Sequence, residues 1–268
     1  MEYKITIIGG GNLGTAITKG FLKSGIFKLE DILVTEKKEH RIKYLESKGY
    51  HVTTDNIKAV GQSRFVLISV KPQHMVPVLN EIKSVIKKDK ILLYTVTGIT
   101  LGTVEKEIGK IPMFRIMPNT AIEICESMTC VSYLNVDEHI EKEVIDMLNK
   151  MGKTIIIDEE LMAAATVLGA CGIAYALRFM RAAAQGGIEI GFGSDMSQLI
   201  TAQTIKGATQ LILENGEHPE KEIDKVTTPQ GITISGLNEM EHQGFSSALI
   251  KGLLTSYNKL TNHKTNKN

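Results

Sequence analysis

The chain has 268 residues, 43% hydrophobic and 23% charged, and its 31 basic against 30 acidic side chains leave a net charge of +1. That balance excludes a disordered chain and supplies no basic field to draw it to nucleic acid or anionic lipid, so the expected partner is a small molecule, with no nucleic acid and no membrane. The three cysteines, Cys125, Cys130 and Cys171, form no C-x-x-C pair. They suggest neither a disulfide framework nor a zinc site, and a reducing cytoplasm fits them best. Residues Met1 to Lys4 lead straight into an apolar run without the pattern of a signal peptide, so export is not expected.

Along the chain, Lys4 to Ile8 reads as a short apolar strand, followed by Gly9, Gly10, Gly11 and Gly14 and a helical stretch through Leu22. Strand-like runs recur at Asp31 to Thr35, Phe65 to Val70 and Ile91 to Val96, with helical periodicity at Lys38 to Lys48 and Val76 to Lys87. This alternation predicts a parallel sheet covered by helices on both faces. Weaker strands at Met113 to Met117 and Ser127 to Tyr133, a helix at Glu138 to Met151 and an edge strand at Lys153 to Ile157 complete a first domain, residues 1–158.

Beyond it, residues 159–268 change to long helices, at Leu161 to Gln185, Met196 to Glu214 and Ser246 to Leu260. Ser194 and Asp195 are expected to cap the second of these, and Gly216 to end it in a left-handed residue. The polar tail from Thr261 to Asn268 should fray. Leu161 to Leu177 carries no charge, yet it is rich in Ala and Gly, follows Glu159 and Glu160, and precedes Arg178 and Arg181. A buried interface helix is the better reading than a membrane span. A helical domain of about 110 residues with few aromatics buries its apolar faces alone only with difficulty, so at least a dimer is expected.

Gly9, Gly11 and Gly14 form G-x-G-x-x-G between a strand and a helix, the context that the dinucleotide fingerprint requires. The first glycine permits the tight turn, the second lets backbone approach the pyrophosphate, and the third lets helix pack on strand. The fold class read from these features is α/β, a Rossmann-type doubly wound sheet followed by an all-helical dimerisation domain. Glu36 closes the second strand about twenty residues on, where an acid bonds the ribose 2′-hydroxyl of NAD. Lys37 and Lys38 beside it could instead bind a 2′-phosphate. Both NADH and NADPH stay open on these residues, and the two lysines weigh toward NADPH. Lys71-Pro72 and Pro118-Asn119-Thr120 follow strands at the sheet's carboxyl edge, where ligands of such folds bind.

The chain resembles the pyrroline-5-carboxylate reductases over nearly its whole length. The likeness rests on the Gly9–Gly14 turn with Asn12 and Leu13, on Val70-Lys71-Pro72, on Met117-Pro118-Asn119-Thr120 and on Ser127-Met128-Thr129. Most specific is the run Glu214 to Leu237, with Asn215-Gly216-Glu217-His218-Pro219 and Val226-Thr227-Thr228-Pro229-Gln230-Gly231-Ile232-Thr233-Ile234. The resemblance implies NAD(P)H-dependent reduction of 1-pyrroline-5-carboxylate to L-proline by a dimer or a ring of dimers. It implies that Asn56 lies near the adenosine ribose and that Val70, Lys71 and Pro72 lie beside the nicotinamide half. Asn119, Thr228, Gly231, Ile232 and Thr233 would bind substrate, with Thr233 as the catalytic hydroxyl. Two departures stand out. Gly169-Ala170-Cys171-Gly172-Ile173-Ala174-Tyr175 replaces the usual S-G-S-G-P-A-Y, and the substrate loop has Gln230 for glycine and Ile232 for threonine.

The residues also speak to the reaction. A ketone reduced by hydride becomes an alkoxide that needs a proton donor, whereas a protonated imine becomes a neutral amine. The helix Leu161 to Gln185 offers Arg178 and Arg181 but neither Lys nor His, which favours an imine. Two other readings remain: a dehydrogenase of the same architecture acting on a related cyclic imine or a hydroxy acid, and a non-catalytic dinucleotide-binding regulator.

Overall fold

The computed structural model describes residues 2–265. It divides into two compact units, one running to Cys171 and including the end of the last helix from Lys259, the other spanning Gly172–Asn258.

The first unit alternates β1 (Tyr3–Ile8), α1 (Asn12–Lys23), β2 (Ile32–Thr35), α2 (Glu39–Ser47), β3 (His51–Thr53), α3 (Asn56–Gln62), β4 (Ser63–Ile68), α4 (Pro72–Ile82), β5 (Ile91–Tyr94), α5 (Leu101–Ile108) and β6 (Met113–Met117). It continues through β7 (Ser127–Leu134), α6 (Glu138–Asn149), β8 (Gly152–Ile156) and α7 (Met162–Ala165), which runs into a π-helical turn, Thr166–Cys171. The eight strands lie in the order β3-β2-β1-β4-β5-β6-β7-β8. Pairing is parallel from β3 to β6, antiparallel between β6 and β7, and parallel again between β7 and β8. This is the doubly wound arrangement expected, with its order reversing beside β1, where ligands of open α/β sheets bind.

Why these strands sit at the centre follows from their composition. A parallel strand covered on both faces must be apolar at successive positions. β1 obeys with Ile5, Ile7 and Ile8 buried, and its alternation sends Ile5 and Ile7 to one core cluster with Phe21, Phe65 and Leu67, and Ile8 to the other with Val66, Ile68 and Met75. The one polar residue between them, Thr6, is buried but bonded to the Ala59 carbonyl at 2.9 Å and the Ser63 hydroxyl at 2.7 Å. Met162 packs with Met117 and Cys130, so the first turns after β8 belong to this unit.

Several elements were not expected from sequence. β3, α3 and α5 are short, and α4 begins at Pro72 rather than Val76 because Pro at the first helical position lacks only an amide that would be orphaned anyway.

The second unit holds α8 (Gly172–Glu189), α9 (Ser194–Asn215), α10 (Pro219–Val226), α11 (Ile232–His242) and most of α12 (Phe245–Thr265). α8 and α9 approach closely at Gly187, where a Cβ would meet Ser197 Oγ at 2.1 Å. Ser197 Oγ donates to the Ala184 carbonyl at 2.7 Å. Tyr175 and Ser256 hydroxyls bond at 2.6 Å between α8 and α12. Contrary to the expected caps, Gly193 is the N-cap of α9, and Ser194 and Asp195 lie inside its first turn. Gly216 ends that helix in the left-handed region as expected. α12 continues through Thr265, past the Leu260 end anticipated; of the tail expected to fray, residues 266–268 lie outside the described residues.

Few side chains of this unit are buried: Leu168, just before it, is 72% exposed, and within it Ile190 and Leu199 are 78% and 69% exposed. The helical run Glu159–Glu189 is long and apolar enough to cross a membrane by length and composition.

Candidate active site

The glycine turn divides its labour by position. Gly9 has φ +107, and a Cβ there would fall 2.3 Å from the Ser69 carbonyl oxygen. At Gly14 a Cβ would fall 2.0 Å from the Gly9 carbonyl oxygen. Both glycines therefore serve the packing of β1, β4 and α1. Gly11 differs: no atom lies within 4 Å of the position its Cβ would take. It is the N-cap of α1, with Asn12, Leu13 and Gly14 following, whose first-turn amides have no partner inside the helix. Open space in front of unpaired amides at a positive helix end is what a pyrophosphate needs, so the residues fit a dinucleotide.

Beside the turn lies a cleft of about 280 Å³ lined by Gly9, Glu36, Lys37, Asn56, Val70 and Glu81 among others. Glu36 follows β2, and its Oε1 accepts the amides of Lys37 at 2.8 Å and Lys38 at 3.0 Å. Asn56, 2% exposed at the start of α3, donates from Nδ2 to Glu81 Oε2 at 2.9 Å. Asp55 caps α3 by accepting the Lys58 amide, which fixes Asn56 in place. Glu81 in turn lies 3.5 Å from Lys37 Nζ. Arg41 on α2 donates from Nε to the Gly10 carbonyl at 3.1 Å and from Nη2 to Thr15 Oγ1 at 3.0 Å, bracing the turn from behind.

At the carboxyl edge of the sheet, Val70 lines the same cleft and Lys71 is the N-cap of α4 with Pro72 as its first residue. Ser69 and Thr95 stand side by side there, their hydroxyls 3.3 Å apart. Asn119, expected at the substrate, has its amide engaged within the protein. Oδ1 accepts the Ala121 amide at 3.0 Å, and Nδ2 donates to the Gly169 carbonyl at 3.3 Å. Gly169 sits in the π-helical turn, a local departure from the regular helical ladder and the place where the usual serines are missing. Asn119 thus ties β6 to that turn.

In the helical unit, Thr228, Gly231, Ile232 and Thr233 form the approach to α11. Gly231 is the N-cap, and its own amide donates to the Thr228 carbonyl at 2.9 Å. The amides with no partner inside the helix are those of Ile232, Thr233 and Ile234. Ile232 is 92% exposed, and Thr233 is exposed with no hydrogen-bond partner for its hydroxyl among the described residues. Because Gly231 holds the cap position, Thr233 is not the helix's N-cap residue. Gln230 takes φ 59, a left-handed conformation that explains why glycine is the usual residue there.

Among curated proteins, a relative from Dictyostelium discoideum named pyrroline-5-carboxylate reductase 2 is 40% identical over 95% of this chain and 91% of its own length. The chain belongs to the pyrroline-5-carboxylate reductase family. A Methanosarcina acetivorans member of the family is 31% identical over 94% of each chain. The chain spans half the length of another relative, pyrroline-5-carboxylate reductase 1 of Dictyostelium discoideum, at 43% identity. Residues 159–262 match the family model for pyrroline-5-carboxylate reductase dimerisation, and residues 4–98 match that for NADP oxidoreductase, coenzyme F420-dependent. The Plasmodium falciparum pyrroline carboxylate reductase solved with NADP bound superposes with a TM-score of 0.88 at 25% identity, covering 98% of this chain and 99% of that one.

Within this family frame, sequence reasoning missed Glu81, His74 and Pro77, which line the cleft from α4, and the Ser69–Thr95 pair. Glu81 carries no local motif: it reaches the cleft only because α4 packs across the end of β4. Ser69 and Thr95 are the polar residues that follow apolar strands β4 and β5, a signal that could have singled them out.

Proposed function

We propose that this chain catalyses the NAD(P)H-dependent reduction of 1-pyrroline-5-carboxylate to L-proline. The observation that carries this is the 40% identity to a pyrroline-5-carboxylate reductase over nearly the full length of both chains. When bound, the coenzyme supplies a hydride to the imine carbon. The first-turn amides of α1 bind its pyrophosphate, Gly11 leaves it room, and Glu36 and Asn56 border its adenosine ribose. Val70, Lys71 and Pro72 shape the edge toward its nicotinamide half.

The amides of Ile232 and Thr233 at the start of α11 hold the substrate carboxylate, and the Thr233 hydroxyl bonds the ring nitrogen or the carboxylate as charge leaves the iminium. Thr228 shapes the loop through its carbonyl, and Asn119 acts by positioning the π-helical turn. An iminium that becomes a neutral amine needs orientation more than a proton donor, in keeping with a first long helix that carries only Arg178 and Arg181. Residues 1–158 form the coenzyme domain and 159–268 the dimerisation and substrate domain, in line with the dimerisation match that begins at residue 159. A second copy of the chain covers the exposed apolar helix faces, Glu159–Glu189 among them, in a dimer or a ring of dimers. The site of action is the cytoplasm, consistent with three free cysteines.

The test follows nicotinamide absorbance with pyrroline-5-carboxylate, its six-membered homologue and small 2-oxo acids in parallel. Turnover of pyrroline-5-carboxylate well above the others supports the assignment. Preference for a 2-oxo acid, or no turnover of any, overturns it.

A further inference from the structure

The coenzyme cleft holds more information than the family does. We propose that this chain selects NADH over NADPH, because the Glu36 carboxylate occupies the two backbone amides that would otherwise receive a 2′-phosphate. The inference rests on the dinucleotide reading of the glycine turn.

After β2 the chain turns so that two successive amides, those of Lys37 and Lys38, point to one spot, an anion-binding nest of the kind backbone forms at phosphate sites. Here the nest is filled from within by Glu36 Oε1, at 2.8 and 3.0 Å. The side chain is held against the glycine turn, since a Cβ built on Gly10 would lie 3.4 Å from the Cβ of Glu36. Oε2 is left to accept from a ribose hydroxyl, and a phosphate at the same place would meet a carboxylate instead of two donors.

Two of the cations that could offset this already have partners. Lys37, whose charge in sequence weighs toward NADPH, faces Glu81 at 3.5 Å, and Glu81 is fixed by the buried Asn56. Arg41 directs its Nε to the Gly10 carbonyl and its Nη2 to Thr15. Lys38 alone lines the cleft without an ion pair among the described residues, against two carboxylates, Glu36 and Glu81. Like charges about 4 Å apart near a protein surface repel strongly enough to decide the preference.

Calorimetry on the wild-type protein at low salt, with ADP-ribose and its 2′-phosphorylated form as probes, tests this without any hydride chemistry. The unphosphorylated probe is expected to bind at least about tenfold tighter, with the gap shrinking as salt is added. Glu36→Ser empties the nest and is expected to reverse the order, and Glu81→Gln, which releases Lys37, to narrow it. Equal or tighter binding of the phosphorylated probe by the wild type overturns the preference while leaving the dinucleotide site intact. A wild-type preference that persists unchanged in Glu36→Ser overturns the role given to that residue. Binding of neither probe overturns both the preference and the site.

Discussion

Two alanine substitutions three residues apart on the glycine turn should fail in opposite ways. Gly14→Ala drives a Cβ to 2.0 Å from the Gly9 carbonyl oxygen, a backbone atom that cannot swing aside. Either α1 or β1 must shift, and overpacking of this kind costs about 1–3 kcal/mol or more. The melting temperature should fall by several degrees. Gly11→Ala meets nothing within 4 Å and sits at an N-cap with φ −71, ψ −169, which any residue adopts. Its effect on stability is that of exchanging one weak cap for a weaker, under about 1 kcal/mol. The new methyl group stands instead where the pyrophosphate approaches. Losing one charge-assisted hydrogen bond at about 1.5–3 kcal/mol weakens coenzyme binding by about tenfold to a hundredfold. Thermal melts and coenzyme titration of both variants separate these effects. A Gly11→Ala protein that melts and binds like the wild type would refute the division of roles.

Thr233→Ala should lower kcat/KM for pyrroline-5-carboxylate by about tenfold or more, the worth of one well-placed hydrogen bond, without changing coenzyme affinity. Gln230→Gly relieves a left-handed residue at φ 59, and after the added flexibility of the unfolded chain is counted it should stabilise by about 0.5–1 kcal/mol in denaturant unfolding. Glu159 accepts both Arg115 Nη1 at 2.9 Å and the Leu101 amide at 2.8 Å, and Arg115 is 2% exposed. Glu159→Ala strands that buried guanidinium and should cost about 3 kcal/mol, while Glu159→Gln, which keeps an acceptor, should cost less. The Lys28 amide bonded to Asp31, with Lys4 adding to it, holds that carboxyl below its ordinary value. Its stabilisation is present above the unfolded-state value near about 4 and is lost as pH falls through the folded one, so Asp31→Asn should flatten the acid limb of a stability–pH curve.

What the sequence made legible follows from how local the signals are. β1 and the glycine turn could be read because a continuous apolar run and three spaced glycines are both constraints on adjacent residues. The order of the sheet followed from alternation. β3 was missed because three residues, two of them half-buried, make no periodicity. Asn119 was expected at the ligand, yet its partner is Gly169, fifty positions away and in a turn whose π register no local pattern announces. The partner of Lys37 was hidden for a related reason. Charge is visible in sequence, but the pairing of Lys37 with Glu81 is a property of how α4 crosses the sheet.

The most direct test of the chemistry is to supply coenzyme carrying deuterium at the transferable position and examine the product by mass spectrometry. Reduction on this chain predicts proline one mass unit heavier, labelled at the former imine carbon, formed at least about a hundredfold more slowly by a protein altered at both Gly11 and Thr233. Unlabelled proline, or labelled product formed by that double variant at the wild-type rate, would contradict it.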